Sequence, residues 1–256
     1  MTTSPTVFQF AQGALGLLPR WRPLARALRD LALARPGDRG GVADFLEATA
    51  ARHPHTDALR TPEGSITYGD FNREANRLAH ALRKRGIVHG DRVAISMANG
   101  IPLLRTVAAL VKVGAVPALL GEGLRAEGLR HALATIGPRL VMHDRSDQDF
   151  PRSEWEVFGP GSWEQVEGEP ATYPRRTEAV RLGDAAFLVF TSGTTGLPKA
   201  SIMSHLRWLK AARVFGGACL NLGPGDVVYA PLPLSHNQAL TVGWGGALVH
   251  GATFAT

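Results

Sequence analysis

The residues best suited to chemistry are glycine, serine and threonine, which crowd into six positions of the segment "VFTSGTTGLPKASIMSH". The six are Thr191, Ser192, Gly193, Thr194, Thr195 and Gly196. Glycines let a backbone turn tightly and approach a ligand, and clustered N–H groups bind phosphate. Lys199 follows three residues later and adds charge for a polyphosphate. The segment therefore predicts a phosphate-binding loop, and a plain connection between two elements is the alternative.

The spacing of this loop disfavours a P-loop kinase or ATPase. The Walker A pattern needs glycine, four residues, and then Gly-Lys-Ser/Thr. Counting from Gly193, four residues lead to Pro198, Lys199 and Ala200. Proline replaces the second glycine, and alanine replaces the hydroxyl that would bind magnesium.

A second glycine motif, "GEGLRA" at residues 121–126, lies between a predicted strand and a predicted helix. Asp144 ends the next predicted strand, near the spacing of the ribose carboxylate in a dinucleotide-binding fold. A nicotinamide-binding oxidoreductase that uses Gly121 and Gly123 is therefore one alternative. An ordinary strand-to-helix connection is the other.

Composition limits the partners of the chain. The 256 residues carry a net charge of +6, but the arginines are spread along the chain without interleaved aromatics, so no nucleic-acid partner is expected. The single cysteine, Cys219, excludes disulfides within the chain and predicts a small core residue in a reducing, cytoplasmic protein. No apolar run reaches the length of a membrane span.

Residues 1–40 form a basic segment that differs from the rest of the chain. Its arginines are Arg20, Arg22, Arg26 and Arg29, and its apolar residues at helical spacing are Trp21, Leu24, Leu28 and Leu31. This pattern predicts an amphipathic helix. One interpretation is peripheral contact of residues 7–31 with the anionic inner face of a membrane, and the other is a helix packed on its own domain.

Residues 41–256 show strands alternating with helices. The predicted strands are 93–98, 115–120, 140–143 and 185–190. The predicted helices include one before Pro54, one capped at Thr67, one capped by Asn99 that runs to about 113, and one over 125–136. The predicted buried stripe of the helix after Thr67 is Phe71, Ala75, Leu78, Ala79 and Leu82. Residues 144–182 form a long excursion without a clear pattern. The alternation predicts an α/β domain of mostly parallel sheets with helices on both faces.

The segment "FTSGTTGLPKA" (residues 190–200) resembles the phosphate-binding signature of the adenylate-forming, or AMP-binding, superfamily, with Ala200 in place of a final glycine. This superfamily includes acyl-CoA synthetases, luciferases and the adenylation domains of peptide synthetases. "ITYGDFNREANRLAHALRKRGIVHGDRVAISMANG", "LVKVGAVPALLGEGLRAEGLRHAL" and "APLPLSHNQAL" are similar to other segments of that superfamily. The "GEGLRAEGLRHAL" loop and the basic N-terminus most resemble the branch of fatty-acid transport proteins and very-long-chain acyl-CoA synthetases.

The resemblance implies that ATP activates a fatty acid to an acyl-adenylate, from which coenzyme A takes the acyl group, with Mg²⁺ assisting. It implies that residues 191–196 and Lys199 bind the β- and γ-phosphates. It also implies that His236 lines the acyl and adenylate site, with a core histidine as the alternative. Trp244, with its glycine neighbours, either lines an acyl tunnel or belongs to a packed helix.

A complete family member continues into a Tyr-Gly-x-Thr-Glu segment, a ribose-binding aspartate and a C-terminal domain with a catalytic lysine. None of these occurs in the 256 residues. The resemblance therefore implies an incomplete N-terminal domain that holds no catalytic residue and is inactive alone. A non-catalytic remnant, or one half of a split synthetase that docks with a separately encoded C-terminal half, is the alternative.

Overall fold

The computed structural model describes residues 32–121, 124, 126–144, 150, 155–159, 162, 165–174, 176, 178–191 and 199–256, with 25 and 29 as single positions. Its larger sheet contains six strands. They are β3 (Arg92–Ser96), β4 (Val116–Leu119), β5 (Leu140–His143), β6 (Val157–Phe158), β7 (Ala185–Thr191) and β8 (Lys199–Ser204). In the order β6-β5-β3-β4-β7-β8, all neighbours are parallel except β7 and β8.

A smaller sheet contains four strands in the order β2-β1-β10-β9. They are β1 (Asp57–Thr61), β2 (Gly64–Thr67), β9 (Val227–Tyr229) and β10 (Thr253–Ala255). β1 and β2 form an antiparallel hairpin, and β10 lies parallel to both β1 and β9. The last strand of the chain therefore has a neighbour on each side.

Six α-helices whose bounds are described and two π-helical segments surround these sheets. The helices are α1 (Val42–Arg52), α2 (Tyr68–Lys84), α3 (Ile101–Val113), α4 (Ala126–Ile136), α5 (His205–Ala211) and α6 (Gly245–His250). The π-helical segments are π1 (Ala212–Cys219), which continues α5, and π2 (Ala239–Trp244), which leads into α6. This mixture of sheets and helices confirms the predicted α/β class.

Different helices cover the two faces of the larger sheet because side chains of a strand alternate between faces. On β3, Val93 and Ile95 belong to the core shared with α2 and α3, whereas Ala94 belongs to a second core with α4. Both sets of side chains are fully buried. The prediction of helices on both faces is therefore confirmed.

The predicted start of α2 is confirmed. Thr67 is its N-cap, and the hydroxyl of Thr67 accepts the Asp70 N–H at 3.2 Å. The same hydroxyl donates to the Asp70 carboxylate at 2.7 Å. The apolar side of this helix is buried through Phe71, Ala75, Leu78, Ala79 and Leu82.

The excursion over residues 144–182 adds the short strand β6 to the edge of the larger sheet. Polar side chains of α2 then hold the part that follows. Asn76 Nδ2 donates to the Ala171 carbonyl at 2.8 Å, and Lys84 Nζ donates to Glu169 Oε1 at 2.6 Å. Side-chain contacts therefore fix a segment in which the sequence shows no regular periodicity.

Two predictions about local environment are wrong. Cys219 is exposed, not a core residue, because it lies at the end of π1 beside the exposed Leu220. Asn99 does not cap α3: Gly100 is the N-cap and the helix begins at Ile101. The side chain of Asn99 is used elsewhere, as described below.

No helix among the described residues is long and apolar enough to cross a bilayer. The proposed membrane-contact segment, residues 7–31, lies outside the described residues except at positions 25 and 29, so it stays a prediction. Just before residue 41, the Gly40 N–H donates to the Val180 carbonyl at 2.9 Å. The division of the chain at residue 40 also stays a prediction.

Candidate active site

The predicted phosphate-binding loop is the connection of a hairpin. Thr191, at the end of β7, pairs with Lys199, at the start of β8, across an antiparallel ladder. Residues 192–198 join them and lie outside the described residues, as does the side chain of Thr191. Lys199 is exposed, and the next described helix, α5, begins at His205.

Ser192, Gly193, Thr194, Thr195 and Gly196 therefore have no described positions. Their assignment to the ATP phosphates stays a prediction, together with that of Lys199. The structure adds where the two ends of the loop are anchored. Both ends lie at the edge of the larger sheet where the parallel strands end, because Thr191 is the last residue of β7, which runs parallel to β4, and Lys199 pairs with Thr191.

That edge collects the carboxyl ends of the parallel strands. Leu119 of β4 pairs with Val189 of β7, and Ser96 of β3 pairs with His143 of β5. The residues that follow these strands must therefore meet at the same edge. In open α/β sheets, ligands bind in the crevice outside the carboxyl ends of the strands.

The segment that carries His236 lies at this edge. A methyl group placed on Gly121, two residues after the end of β4, would lie 3.8 Å from Ser235 Oγ. His236 is exposed, which excludes the alternative of a core histidine. Its Nδ1 accepts the Gln238 N–H at 3.3 Å, so the neutral ring carries its proton on Nε2, the nitrogen that would donate to a ligand.

Asn99 is a residue of this edge whose role the sequence analysis missed. Its side-chain oxygen accepts the Leu234 N–H at 2.9 Å, and its side-chain nitrogen donates to the Leu232 carbonyl at 3.3 Å. The amide therefore holds the chain two residues before His236. The available signal was a polar residue directly after the predicted strand 93–98, a position typical of the ligand crevice in open α/β sheets.

Trp244 lies in the core, with an exposed fraction of 2%. Its ring centroid is 6.1 Å from that of Trp208, at an interplanar angle of 57°. A methyl group on Gly245 would lie 3.0 Å from the Trp208 ring, so this glycine permits close packing. The position fits the packed-helix alternative, and the acyl-tunnel assignment stays a prediction.

The residues of the dinucleotide alternative are only partly described. Gly123 lies outside the described residues, whereas Gly121 and Asp144 lie within them. The Asp144 carboxylate accepts the Ala98 N–H at 3.0 Å, so it ties the end of β5 to the end of β3. This contact gives Asp144 a structural role at the edge of the sheet.

These features define a class of protein. Adenylate-forming enzymes typically have an α/β domain in which a glycine- and threonine-rich loop and a histidine-bearing segment lie at one edge of the sheet. The family model described as "AMP-binding enzyme" matches residues 46–256, and the chain belongs to this family. The resemblance inferred from the opening motif is therefore confirmed.

The comparisons also include two curated relatives and one solved structure. The chain is 39% identical over 233 residues to the medium/long-chain-fatty-acid–CoA ligase FadD6 of Mycobacterium tuberculosis (strain ATCC 25618 / H37Rv), covering 87% of this chain and 39% of the relative. It is 31% identical to long-chain fatty acid transport protein 2 of Rattus norvegicus, covering 91% and 40%. The N-terminal domain of FACL13 from Mycobacterium tuberculosis, solved with an inhibitor, superposes with a TM-score of 0.74 at 26% identity, covering 84% and 57%. The chain thus spans about two fifths of the length of these curated relatives.

Proposed function

We propose that this chain is the phosphate-binding and acyl-binding part of an AMP-forming ligase that activates long- or very-long-chain fatty acids. The observation that carries the proposal is the meeting of two segments at one sheet edge. The Thr191–Lys199 hairpin ends there, and the segment with His236 faces the neighbouring strand end at Gly121. Relatives named as fatty-acid–CoA ligase and long-chain fatty acid transport protein support the substrate class.

In the proposed reaction, a fatty-acid carboxylate oxygen attacks the α-phosphorus of ATP. The bond from that phosphorus to the pyrophosphate oxygen breaks, and pyrophosphate leaves. The thiolate of coenzyme A then attacks the acyl carbon, and AMP leaves. In this scheme, residues 191–196 and Lys199 hold the β- and γ-phosphates, because oriented donors stabilise charge on the leaving group.

The role proposed for His236 is to line the acyl and adenylate side of the site. Its Nε2 proton suits a hydrogen bond to a carboxylate or acyl oxygen, while Nδ1 is held by the Gln238 N–H. Mg²⁺ would be held largely by the ATP phosphates, as is usual for this ion. The described residues contain no group of three or more His, Cys, Asp or Glu side chains that could hold a metal ion, so we assign it no ligand from them.

We further propose that the 256 residues alone bind ATP or pyrophosphate weakly and form no acyl-adenylate. Fatty-acid-dependent exchange of labelled pyrophosphate into ATP should not rise above the level of Lys199→Ala. Pyrophosphate affinity, measured by calorimetry, should fall about tenfold in Lys199→Ala, because a charge-assisted contact is lost. Lys210→Ala on α5 is the matched control and should bind as the wild type does.

Two results would contradict this proposal. Exchange by the wild-type chain above the Lys199→Ala level would show that the chain is active alone. Equal pyrophosphate affinity in the wild type, Lys199→Ala and Lys210→Ala would show that the hairpin loop does not bind phosphate through Lys199. Dinucleotide binding that is lost in Gly123→Val would instead favour the oxidoreductase alternative.

A second candidate is one half of a split synthetase that docks with a separately encoded C-terminal half. A neighbouring reading frame that encodes a Tyr-Gly-x-Thr-Glu segment and a lysine-bearing terminal domain would support it. Mixing the two purified products should then restore fatty-acid-dependent pyrophosphate exchange. A mixture without exchange would favour the non-catalytic remnant.

Peripheral membrane contact through residues 7–31 is part of the proposal because of its basic amphipathic pattern. The chain should sediment with vesicles that contain anionic lipid, and less so at high salt, because surface charge is screened. A variant that lacks residues 1–31 should remain in the supernatant. Equal sedimentation of the two proteins would contradict the membrane contact.

A further inference from the structure

We propose that Asn99 is a positioning residue that fixes the His236 segment and thereby serves the fatty-acid side of the site rather than the phosphate side. The fatty-acid ligand rests on the proposed function. The positioning itself rests on hydrogen bonds of described residues and is tested separately below.

The Asn99 amide holds the segment in the manner of a neighbouring strand. Its oxygen accepts the Leu234 N–H at 2.9 Å, and its nitrogen donates to the Leu232 carbonyl at 3.3 Å. In a parallel ladder, a residue bonds in the same way to the two residues that flank its partner. The side chain of Asn99 therefore replaces a strand backbone opposite Pro233.

The sequence of the segment explains why a side chain takes this role. Pro231 and Pro233 have no N–H group, so a regular ladder could not form along these residues. Leu234 is fully buried, whereas Leu232 is 38% exposed. The Asn99 amide satisfies two backbone groups that flank Pro233: the Leu234 N–H and the Leu232 carbonyl.

Asn99 is held in place by its position in the chain, and its contact with residues 232–234 also orients His236. Asn99 follows β3, and the preceding Ala98 N–H donates to the Asp144 carboxylate at 3.0 Å. Beyond the contact, the His236 N–H donates to the Pro233 carbonyl at 2.8 Å and closes a turn. Fixing residues 232–234 therefore orients the turn from which the imidazole projects.

The positioning is tested by hydrogen exchange of the Leu234 amide, measured by NMR on the 256-residue chain. Asn99→Ala removes the acceptor and should accelerate exchange about fivefold or more, the effect of one lost hydrogen bond. Asn99→Asp keeps an acceptor oxygen and should leave exchange within about threefold of wild type. Thr256→Val is the control, since Asn99 Nδ2 also contacts Thr256 Oγ1 at 3.4 Å, and it should leave this amide unchanged.

Unchanged Leu234 exchange in a folded Asn99→Ala protein would overturn the positioning role. If Asn99→Ala does not fold, Asn99→Asp decides, and loss of Leu234 protection in a folded Asn99→Asp protein would overturn it equally. Circular dichroism establishes folding in each case. These outcomes do not depend on any ligand.

The functional side is tested with laurate and MgATP as probes in calorimetry. Asn99→Ala and His236→Ala should each weaken laurate binding roughly tenfold, the scale of one lost hydrogen bond to a charged group. The double variant should lose no more than His236→Ala alone, because the two residues act as one unit. MgATP affinity should fall less than laurate affinity, because the hairpin loop proposed to hold the β- and γ-phosphates is not touched.

Additive losses in the double variant, or an equal loss of MgATP affinity, would show general loosening and overturn the inference. A wild-type chain that binds no laurate would overturn the fatty-acid assignment of the proposed function. In that case, Leu234 exchange alone still decides whether Asn99 positions the segment.

Discussion

Lys112 and Glu47 form an ion pair inside the layer of helices, where Lys112 on α3 is fully buried and Glu47 projects from α1. Lys112 Nζ also donates to Asn72 Oδ1 on α2 at 2.7 Å and lies 4.8 Å from the centre of the Tyr173 ring. One buried ammonium group thus joins three helices to the excursion. Burial lowers the pKa of Lys112 to about 8, although Glu47 acts in the opposite direction.

The first prediction concerns the pH dependence of this ammonium group. Between pH 8 and its unfolded pKa near 10.4, Lys112 binds a proton in the unfolded chain but not in the folded one. The free energy of unfolding should therefore rise with pH in this window, by up to about 1.4 kcal/mol per unit. Lys112→Met should remove that rise in urea unfolding at pH 7.5, 8.5 and 9.5.

Lys210→Met, which removes the same charge from α5, is the control and should keep the wild-type slope. Parallel pH profiles for the wild type and Lys112→Met would contradict the prediction. The window stops at pH 9.5 because burial raises the pKa of Tyr173 to about 12. At higher pH, an unfolded tyrosine loses a proton that the folded one keeps, which opposes the effect of Lys112.

The second prediction concerns acid stability. His205 is buried, and its Nδ1 accepts the Val42 N–H at 3.2 Å, while burial lowers its pKa to about 4. Between pH 6.5 and 4 the unfolded chain therefore binds a proton that the folded chain does not, so stability falls as pH falls. His205→Asn keeps an acceptor and should reduce this fall by up to about 1.4 kcal/mol per unit.

Chemical unfolding at pH 7, 6, 5 and 4.5 measures the effect of His205→Asn. His236→Asn, at an exposed position, is the matched control and should follow the wild-type profile. A His205→Asn profile as steep as that of the wild type would assign the acid sensitivity to other groups.

The third prediction concerns Trp244 and distinguishes its two interpretations. Trp244→Phe should lower the free energy of unfolding by about 1–3 kcal/mol, because buried ring contact with Trp208 is lost. If Trp244 also borders the acyl chain, laurate affinity of the folded variant should fall. If Trp244→Phe binds laurate with wild-type affinity, Trp244 does not line the substrate site and is only a core residue.

The fourth prediction concerns the close approach of π1 to α6. A methyl group on Gly216 would lie 2.9 Å from the Gly246 Cα and 2.8 Å from the His250 ring. A backbone neighbour cannot yield easily, so Gly216→Ala should destabilise the fold by about 1–3 kcal/mol. Gly223→Ala is the matched control, since nothing lies within 4 Å of the added methyl group.

Gly223→Ala should change stability by no more than about 0.5 kcal/mol in the same thermal unfolding experiment. Equal stability of Gly216→Ala and the wild type would show that π1 and α6 separate without cost. Such a result would also question the widened π-helical turn at this position.

The sequence predicted well those features that depend on local periodicity. The strand β5 (Leu140–His143) was predicted with its observed bounds, and the cap at Thr67 and the buried stripe of α2 were predicted residue by residue. Local patterns suffice for these elements because alternation, helical spacing and capping each depend on residues that are close together in the sequence. The loop motif likewise indicated the family from its residues alone.

Only the tertiary structure decided which distant residues share an edge or a core. The tertiary structure shows that the glycine- and threonine-rich loop joins the two strands of a hairpin at Thr191 and Lys199. It also shows that Cys219 is exposed and that the buried Lys112 pairs with Glu47. It also gave Asn99 a partner 135 residues away, at Leu234. The sequence alone could specify the residue types for phosphate chemistry, because their spacing is local. It could not specify the Asn99 contact, because that contact depends on strand order in the sheet, which is set by packing across the whole domain.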